Sequence, residues 1–222
     1  MRVSPDLSHV EHWVFDLDNT LYPAECEHMV LVEGRMTEFV MRQTGLGRDK
    51  AYALQHRYYL EHGTTLAGLL AHHGVDPQAF IDEVHDVAMD RLTPDPELRA
   101  ALERLPGRRL VFTNGGAKHA EKVLDALNLN DLFEDAFHIE AAAFIPKPNP
   151  ATYDAMVKAH GVDPRAAAFF EDSERNLAPA AAIGMTTVLV GSKARQSTAD
   201  FVQWRTETLP PFLTTARLRE PE

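Results

Sequence analysis

Along the chain, short apolar runs typical of strands alternate with stretches in which apolar residues recur at helical spacing. Short runs of aromatic and β-branched residues, each bounded by polar residues, are typical of strands covered on both faces of a sheet. Amphipathic stretches lie between these runs, and the alternation predicts a parallel sheet with right-handed crossovers. The predicted strands are residues 13–15, 109–113, 136–139, 166–170 and 186–190, and the predicted helices between them are 97–105, 117–127, 150–160 and 173–184. The last thirty residues carry weaker signals, which indicate an edge strand and one covering helix.

In one region of the chain the apolar residues recur at helical spacing throughout. It follows the first strand directly, and its four predicted helices form a small bundle. These helices are residues 23–44, 48–62, 64 or 65–73, and 77–91. The pattern therefore predicts two domains, a parallel-sheet core of residues 1–21 and 93–222 and an inserted helical bundle of residues 22–92.

Composition restricts the classes of partner. With 222 residues, of which 45% are hydrophobic, the chain is long enough for a substantial core. The formal charge of −11 disfavours a sequence-independent grip on nucleic acid or on an anionic membrane. The single cysteine, Cys26, excludes an internal disulfide. No secretory signal pattern and no apolar run of membrane-spanning length is present in the sequence, so we expect a cytoplasmic location.

The first strand ends on a pair of carboxylates, Asp16 and Asp18. The carboxyl edge of an open parallel sheet is where ligands bind. Two like charges this close are costly unless a cation is bound or one carboxyl is protonated. The pair therefore indicates a magnesium site, with one Asp attacking a phosphoryl group while the other transfers a proton. A plain turn after the strand is the alternative interpretation.

The second strand ends on Thr113, Asn114 and Gly115 at the same edge. A hydroxyl, an amide and exposed backbone N–H groups before a helix suit a phosphate. An ordinary turn from strand to helix is the alternative.

Lys147 lies in a rigid segment between Pro146 and Pro148. Because prolines restrict the backbone in advance, the ammonium loses less entropy when it pairs with a charged group. We expect it to offset charge on a transferring phosphoryl group, although an isolated lysine is more often solvated.

The fourth strand runs into Glu171 and Asp172. Together with Asp16 and Asp18 they would form an oxygen-rich site suited to Mg²⁺. Asn176, one turn later, is placed to hydrogen-bond a ligating carboxylate. A simple helix cap at Asp172 or Ser173 is the alternative, but a cap does not require Glu171 as well.

Four motifs in this order resemble the haloacid dehalogenase-like superfamily: DLDNT at 16–20, VFTNG at 111–115, Lys147 in IPKPNP, and FFEDSERN at 169–176. The resemblance implies a Rossmann-like core with an inserted all-α helical-bundle cap. It implies Asp16 as the nucleophile that forms an aspartyl-phosphate and Asp18 as the general acid. Thr113 would bind the phosphate and Lys147 would steady its charge. Magnesium would be held by Asp16, the main-chain carbonyl of Asp18, Asp172 and, as a helper, Glu171.

Finer resemblances concern the substrate. The superfamily's name-giving dehalogenases lack the second aspartate of the first motif, so Asp18 favours phosphate chemistry. The stretches DLDNTLYP, HGTTLAGLLAHHGVDP at 62–77 and EDSERN look like the pyrimidine 5′-nucleotidase branch, which often has Tyr at position 62 and Asp at position 171. This resemblance implies hydrolysis of a nucleoside 5′-monophosphate. Candidate contacts from the cap to the leaving group, each of which also suits the bundle core, are Tyr22, His28, Arg35, Tyr58, Tyr59 and Thr64.

Two other functions remain open at this point. A sugar-phosphate phosphatase or a phosphoglucomutase-like phosphotransferase would use the same core residues. A regulatory or binding protein could also be built on this core without catalysis. The sequence makes no prediction of the oligomeric state.

Overall fold

A six-stranded, entirely parallel sheet forms the centre of the computed structural model, which describes residues 4–219. Its strand order is β3-β2-β1-β4-β5-β6. The strands are β1 His12–Phe15, β2 Arg108–Phe112, β3 Asp135–Phe137, β4 Ala167–Glu171, β5 Thr186–Val190 and β6 Trp204–Thr206. The predicted parallel sheet is confirmed, with strand bounds shifted by at most two residues. The ends of the predicted core domain, residues 1–3 and 220–222, lie outside the described residues.

The register of the central strands aligns their carboxyl ends. Phe15 of β1 lies opposite Val111 of β2 on one side and Phe170 of β4 on the other. Because all three strands run in the same direction, the residues that follow them emerge at one edge of the sheet. This register brings Asp16, Thr113 and Glu171 together, although they are far apart in the sequence.

Four helices inserted after β1 form a bundle with its own apolar core. Fully buried Val32, Val40 and Leu69 are among the side chains that fill it. The bundle consists of α1 His28–Thr44, α2 Arg48–His62, α3 Thr65–His73 and α4 Pro77–Val84. Thr64 and Asp76 cap the third and fourth of these helices through their side-chain oxygens.

Two of the predicted bundle helices are shorter than expected. The chain at residues 24–26 is a single 3-10 turn, and Glu27 is left-handed with φ 57°, so α1 begins at His28. The prediction that α4 extends to residue 91 is wrong, since it ends at Val84 and the ring of the next residue, His85, packs on His119.

Helices cover both faces of the sheet, and two apolar clusters separate them from it. On one face Phe15 stacks on Phe170 at a centroid distance of 4.6 Å, and on the other Phe112 packs against Phe169. These helices are α5 Pro96–Glu103, α6 Ala117–Ala126, α7 Pro150–His160, α8 Glu174–Ala182 and α9 Leu209–Thr215. None of the helices within residues 4–219 combines the length and apolar character that crossing a membrane requires.

Candidate active site

Lys147 lies at the centre of the carboxyl edge of the sheet and is 1% exposed. Its ammonium donates three hydrogen bonds, to Asp16 Oδ1 at 2.8 Å, Glu171 Oε2 at 2.7 Å and the carbonyl of Phe112 at 2.7 Å. Burial acts to lower the pKa of Lys147, but the charges of Asp16 and Glu171 outweigh it and raise that pKa. The charged form of the lysine is therefore favoured, and all three of its donors are used.

Asp16 is buried beside this lysine. Its Oδ2 also accepts a hydrogen bond of 3.3 Å from the hydroxyl of Thr20. Burial and the neighbouring charge of Glu171 raise the pKa of Asp16 above the usual range, against the opposing effect of Lys147. A further cation at the site would favour the ionised form, which is the form that can attack phosphorus.

Three carboxylates meet at one point of the site. Oxygen atoms of Asp16, Glu171 and Asp172 all lie within 4.8 Å of one another. A hard divalent cation such as Mg²⁺ takes oxygen ligands of this kind, and one ammonium does not balance three acidic groups. The buried Oδ1 of Asn176 has no hydrogen-bond partner among residues 4–219. The donor set and this open acceptor both fit a hydrated metal ion.

The expected hydrogen bond from Asn176 to a ligating carboxylate is not present in the described part of the chain. Asn176 instead accepts a 2.5 Å hydrogen bond from the Tyr153 hydroxyl at its main-chain carbonyl. Glu171 also has protein partners at both oxygens, since Oε1 accepts from the backbone N–H of Ser173 at 3.1 Å. A metal ion bound by Glu171 would therefore compete with Lys147 or with Ser173 for the carboxylate oxygens.

Asp18 is held through one of its two oxygens. Oδ1 accepts hydrogen bonds from the Tyr22 hydroxyl at 2.5 Å and from Nε2 of His119 at 2.8 Å. Burial acts to raise the pKa of Asp18, but the charge and hydrogen bond of His119 and the Tyr22 hydroxyl lower it below the usual range. The carboxyl group is thus fixed in place before any substrate arrives.

The turn after β2 places Thr113 beside the two aspartates. Its buried Oγ1 accepts from the backbone N–H of Gly115 at 2.8 Å, which leaves the hydroxyl proton for a ligand. A methyl group on Gly115 would lie 3.2 Å from Thr113 Oγ1 and 3.0 Å from the His119 ring, so a side chain there would crowd the site. Glycine is needed for this close approach.

The sequence predicts phosphate contacts from Asn114 and from the backbone N–H of Gly115. In the structure the Asn114 side chain and this N–H have partners within the protein instead. The Asn114 amide bridges both backbone groups of Lys147, because Oδ1 accepts from its N–H at 2.8 Å and Nδ2 donates to its carbonyl at 3.1 Å. The Gly115 N–H is used by Thr113. Asn114 therefore positions the lysine segment.

A cavity of about 370 Å³ opens above these groups, between the sheet edge and the helical bundle. This volume lies at the lower end of the range for small-molecule sites. Apolar and aromatic side chains of the bundle line its upper wall together with a few polar groups, namely Met29, Glu33, Met36, Tyr52, Gln55, His56, Tyr59 and Phe80. A small phosphate ester would have its phosphate on the sheet edge and its remainder against this wall.

Only two of the six candidate cap contacts line this cavity, Tyr59 and Thr64. Tyr22 contacts Asp18 instead, and His28 is fully buried behind it. Tyr58 packs in the bundle core with its hydroxyl on His73, and Arg35 lies on the exposed side of α1, where it binds the carbonyl of Asp86. The structure does not bring these four side chains to the leaving-group side of the cavity.

Three functional candidates were missed by sequence reasoning, His85, His119 and Arg175. All three line the site or contact its residues. Arg175 follows the acidic pair in the FFEDSERN motif, yet it reaches the bundle, where it donates to the carbonyls of Tyr59 and Gly63. His119 lies on the buried face of the helix that follows the Thr113 turn, and this periodicity was the one signal that could have identified it.

The parallel sheet, the inserted bundle and the buried cluster of aspartates and lysine define a haloacid dehalogenase-like hydrolase. A family model described as hydrolase, haloacid dehalogenase-like hydrolase, matches residues 10–184. Since this match covers most of the sequence, the chain belongs to the haloacid dehalogenase-like hydrolases.

Individual relatives support the same assignment. The chain is 30% identical over 192 residues to Phosphate metabolism protein 8 of Saccharomyces cerevisiae, a match that covers 79% of this chain and 60% of that relative's length. The chain therefore spans less than two thirds of the yeast protein.

Solved structures share the fold. A phosphatase of this superfamily from Thermococcus onnurineus is similar with a TM-score of 0.63 and 18% identity, covering 94% of this chain and 100% of that one. L-2-haloacid dehalogenase from Xanthobacter autotrophicus has a TM-score of 0.57 and 18% identity, covering 92% of this chain and 97% of that one. At this identity both comparisons establish the fold alone.

Proposed function

We propose that this hydrolase is a magnesium-dependent phosphomonoesterase that works through an aspartyl-phosphate on Asp16, with a nucleoside 5′-monophosphate as its substrate. The observation that carries the proposal is the contact of Lys147 with Asp16 beside three clustered carboxylates. Asp18, two residues after Asp16, supplies an acid that phosphate transfer needs and that halide displacement does not.

The residues divide the reaction between them. An oxygen of Asp16 attacks phosphorus in line, the P–O bond to the leaving group breaks, and Asp18 gives its proton to the departing oxygen. Asp18 then takes a proton from water as that water attacks the aspartyl-phosphate, which releases inorganic phosphate and restores both carboxyl groups. Lys147 and the Thr113 hydroxyl hold charge on the equatorial oxygens.

Asp16, Asp172 and the main-chain carbonyl of Asp18 would hold the magnesium ion, with Glu171 contributing charge. When bound, the ion neutralises phosphate charge and keeps Asp16 ionised. Lys147 already bonds one oxygen of Asp16, and Glu171 has protein partners at both of its oxygens, so Glu171 would contribute its charge without a free oxygen.

The upper wall of the cavity supports a nucleotide as the substrate. Tyr59 is an aromatic surface held in place by the Arg175 guanidinium, which lies 3.9 Å from the ring centroid. Tyr52 is a second ring, 52% exposed and available to a ligand. Glu33, Gln55 and His56 are polar groups on the same wall that could hydrogen-bond a base or a sugar.

We further propose that residues 22–92 act as a cap that closes on the core of residues 1–21 and 93–222. The bundle has an apolar cluster that is filled mostly by its own residues and that Ile139 of the core joins. The Lys118–Asp82 ion pair, at 2.8 Å between α6 and the end of α4, is a contact that would hold the cap against the core. Closure would exclude bulk water from the site. A cytoplasmic location belongs to the same proposal and rests on the single cysteine.

A panel of monophosphates assayed with MgCl₂ and with EDTA tests the proposed function. We expect metal-dependent release of phosphate from UMP and CMP well above release from sugar phosphates, and none from the Asp16→Asn variant. Preference for sugar phosphates would replace the substrate by the sugar-phosphatase or phosphotransferase alternative. Absence of any metal-dependent phosphate release would favour a binding or regulatory role.

A further inference from the structure

Three histidine rings are stacked beside Asp18. The His119 ring lies 4.3 Å from the His85 ring and 5.8 Å from the His28 ring, measured between centroids, and the interplanar angles are 20° and 10°. His119 belongs to α6 of the core, whereas His28 begins α1 and His85 follows α4 in the inserted bundle. One core imidazole is therefore packed between two imidazoles of the bundle.

The stack is held by ring contact. Within residues 4–219, both nitrogens of His28 and the Nδ1 atoms of His85 and His119 are buried without hydrogen-bond partners. Burial lowers the pKa of His85 to about 3, and it also lowers the pKa of His28. The rings of His85 and His28 thus pack on the His119 ring, whose Nε2 makes a hydrogen bond to Asp18.

This hydrogen bond has a consequence for the proton of Asp18. Oδ1 already accepts from both His119 and Tyr22. No donor among the described residues contacts Oδ2, which would lie 3.5 Å from a Cβ added to Gly115. Since Oδ1 is used twice, Oδ2 is the oxygen of Asp18 that is free to exchange a proton with a ligand.

We propose that His119 is a positioning residue that holds Oδ1 of Asp18 and so orients the carboxyl group with Oδ2 free for the leaving group, and that seating of the bundle against the core completes this orientation by packing His85 and His28 on the His119 ring. The inference rests on the proposed function, because it assigns a support to the general acid of that reaction. It predicts that the step in which Asp16 is phosphorylated becomes sensitive to the leaving group.

The dependence of rate on the leaving group is the test. Hydrolysis of UMP needs protonation of an alkoxide, whereas p-nitrophenyl phosphate releases a stable phenolate that needs no acid. General acid catalysis contributes roughly 10²- to 10⁴-fold. We expect His119→Ala to lower the single-turnover rate of Asp16 phosphorylation by UMP by roughly 10- to 100-fold and the rate with p-nitrophenyl phosphate by less than about threefold. The phosphorylation step is measured because the later attack of water on the aspartyl-phosphate also uses Asp18 and is common to both substrates. His119→Gln, whose amide nitrogen can replace Nε2, should restore most of the lost rate.

Other variants complete the design. Tyr22→Phe removes the second donor to Oδ1 with little change of shape, and it should show the same selective loss, so it carries the test if His119→Ala does not fold. His85→Ala should give a smaller selective loss. His9→Asn is the matched control, because it removes a histidine hydrogen bond to Thr186 at the opposite edge of the sheet.

The outcomes separate this inference from the proposed function. Equal losses of the phosphorylation rate with both substrates, or no loss, in the His119→Ala and Tyr22→Phe variants overturn the positioning role while the enzyme remains a phosphatase. Equal losses of the phosphorylation rate with both substrates in Asp18→Asn overturn the assignment of the acid and, with it, this inference. A wild-type enzyme that hydrolyses neither compound overturns the proposed function itself.

Discussion

The ammonium of Lys147 lies 2.8 Å from Oδ1 of Asp16, and 131 positions separate the two residues in the sequence. The contact is buried, and Lys147 bonds Glu171 with a second proton. One positive charge therefore serves two buried carboxylates, with Asp172 close by. This excess of negative charge at the sheet edge is the physical basis for expecting a divalent cation.

Removing the ammonium should affect both stability and turnover. Lys147→Met leaves Asp16 and Glu171 buried without their partner, and breaking a buried ion pair on one side typically costs about 3–5 kcal/mol. Urea denaturation measures the loss, and phosphate release measures activity, which should be abolished. Lys158→Met, at an exposed position of α7, should change the free energy of unfolding by less than about 0.5 kcal/mol. A Lys147→Met protein as stable as the wild type would contradict the account of the cluster.

Magnesium should stabilise the folded protein through the three carboxylates. A ligand present at 100 times its Kd adds about 2.7 kcal/mol to the free energy of unfolding. Thermal unfolding in MgCl₂ and in EDTA measures the effect. Asp172→Asn should reduce it strongly and, in EDTA, should not destabilise the protein, because the substitution removes one of the mutually repelling charges. An equal magnesium effect in the two proteins would argue against Asp172 as a ligand.

Arg175 should control how the bundle is held over the site. Its guanidinium donates to the carbonyls of Tyr59 at 3.0 Å and Gly63 at 2.7 Å and covers the Tyr59 ring. Arg175→Lys loses the planar fork, so we expect a KM for UMP raised by roughly tenfold, with faster amide exchange in residues 59–65. Arg165→Lys, at an exposed position, is the control. Unchanged KM and exchange would show that this contact does not hold the bundle.

The free energy of unfolding should fall in mild acid because the pKa of His85 is lower in the folded protein than in the unfolded chain. Its folded pKa of about 3 lies below the value of about 6.5 expected in the unfolded chain. Between these values the unfolded chain binds a proton that the folded chain does not, so the free energy of unfolding decreases as the pH falls below 6.5. At pH 5 the loss from this group is about 2 kcal/mol.

His85→Phe keeps a ring in the stack and removes the titration. Urea midpoints at pH 7.5 and pH 5 should therefore differ less in this variant than in the wild type. His56→Phe, at an exposed histidine, should leave the pH dependence of the wild type in place. Identical pH dependence in His85→Phe and wild type would remove His85 from the explanation.

Much of the sheet could be predicted because its signals are local. Each central strand is a short apolar run, and the group that follows it is polar, so the convergence of Asp16, Thr113 and Glu171 follows from parallel strand order alone. Lys147 was identifiable because prolines flank it. These predictions need only the hydrophobic periodicity of the sequence and the parallel direction of the strands.

The contacts of the bundle could not be predicted in this way. Tyr58 and Tyr59 are adjacent on α2, and only tertiary packing decides that Tyr58 is buried while Tyr59 lines the cavity. The Asn114 amide can hydrogen-bond a phosphate or a backbone group equally well. In the structure its oxygen and its nitrogen both bond the backbone of Lys147. The His119 stack needs three elements that meet only in the folded chain.

The central claim is that phosphate is transferred to Asp16, and mass spectrometry of acid-quenched enzyme tests it most directly. Wild-type protein mixed with excess UMP and MgCl₂ and quenched during turnover should carry a phosphoryl group on the peptide that contains Asp16, and Asp16→Asn should carry none. Phosphate release by Asp16→Asn at the wild-type rate, or a phosphoryl group on another residue, would contradict the account.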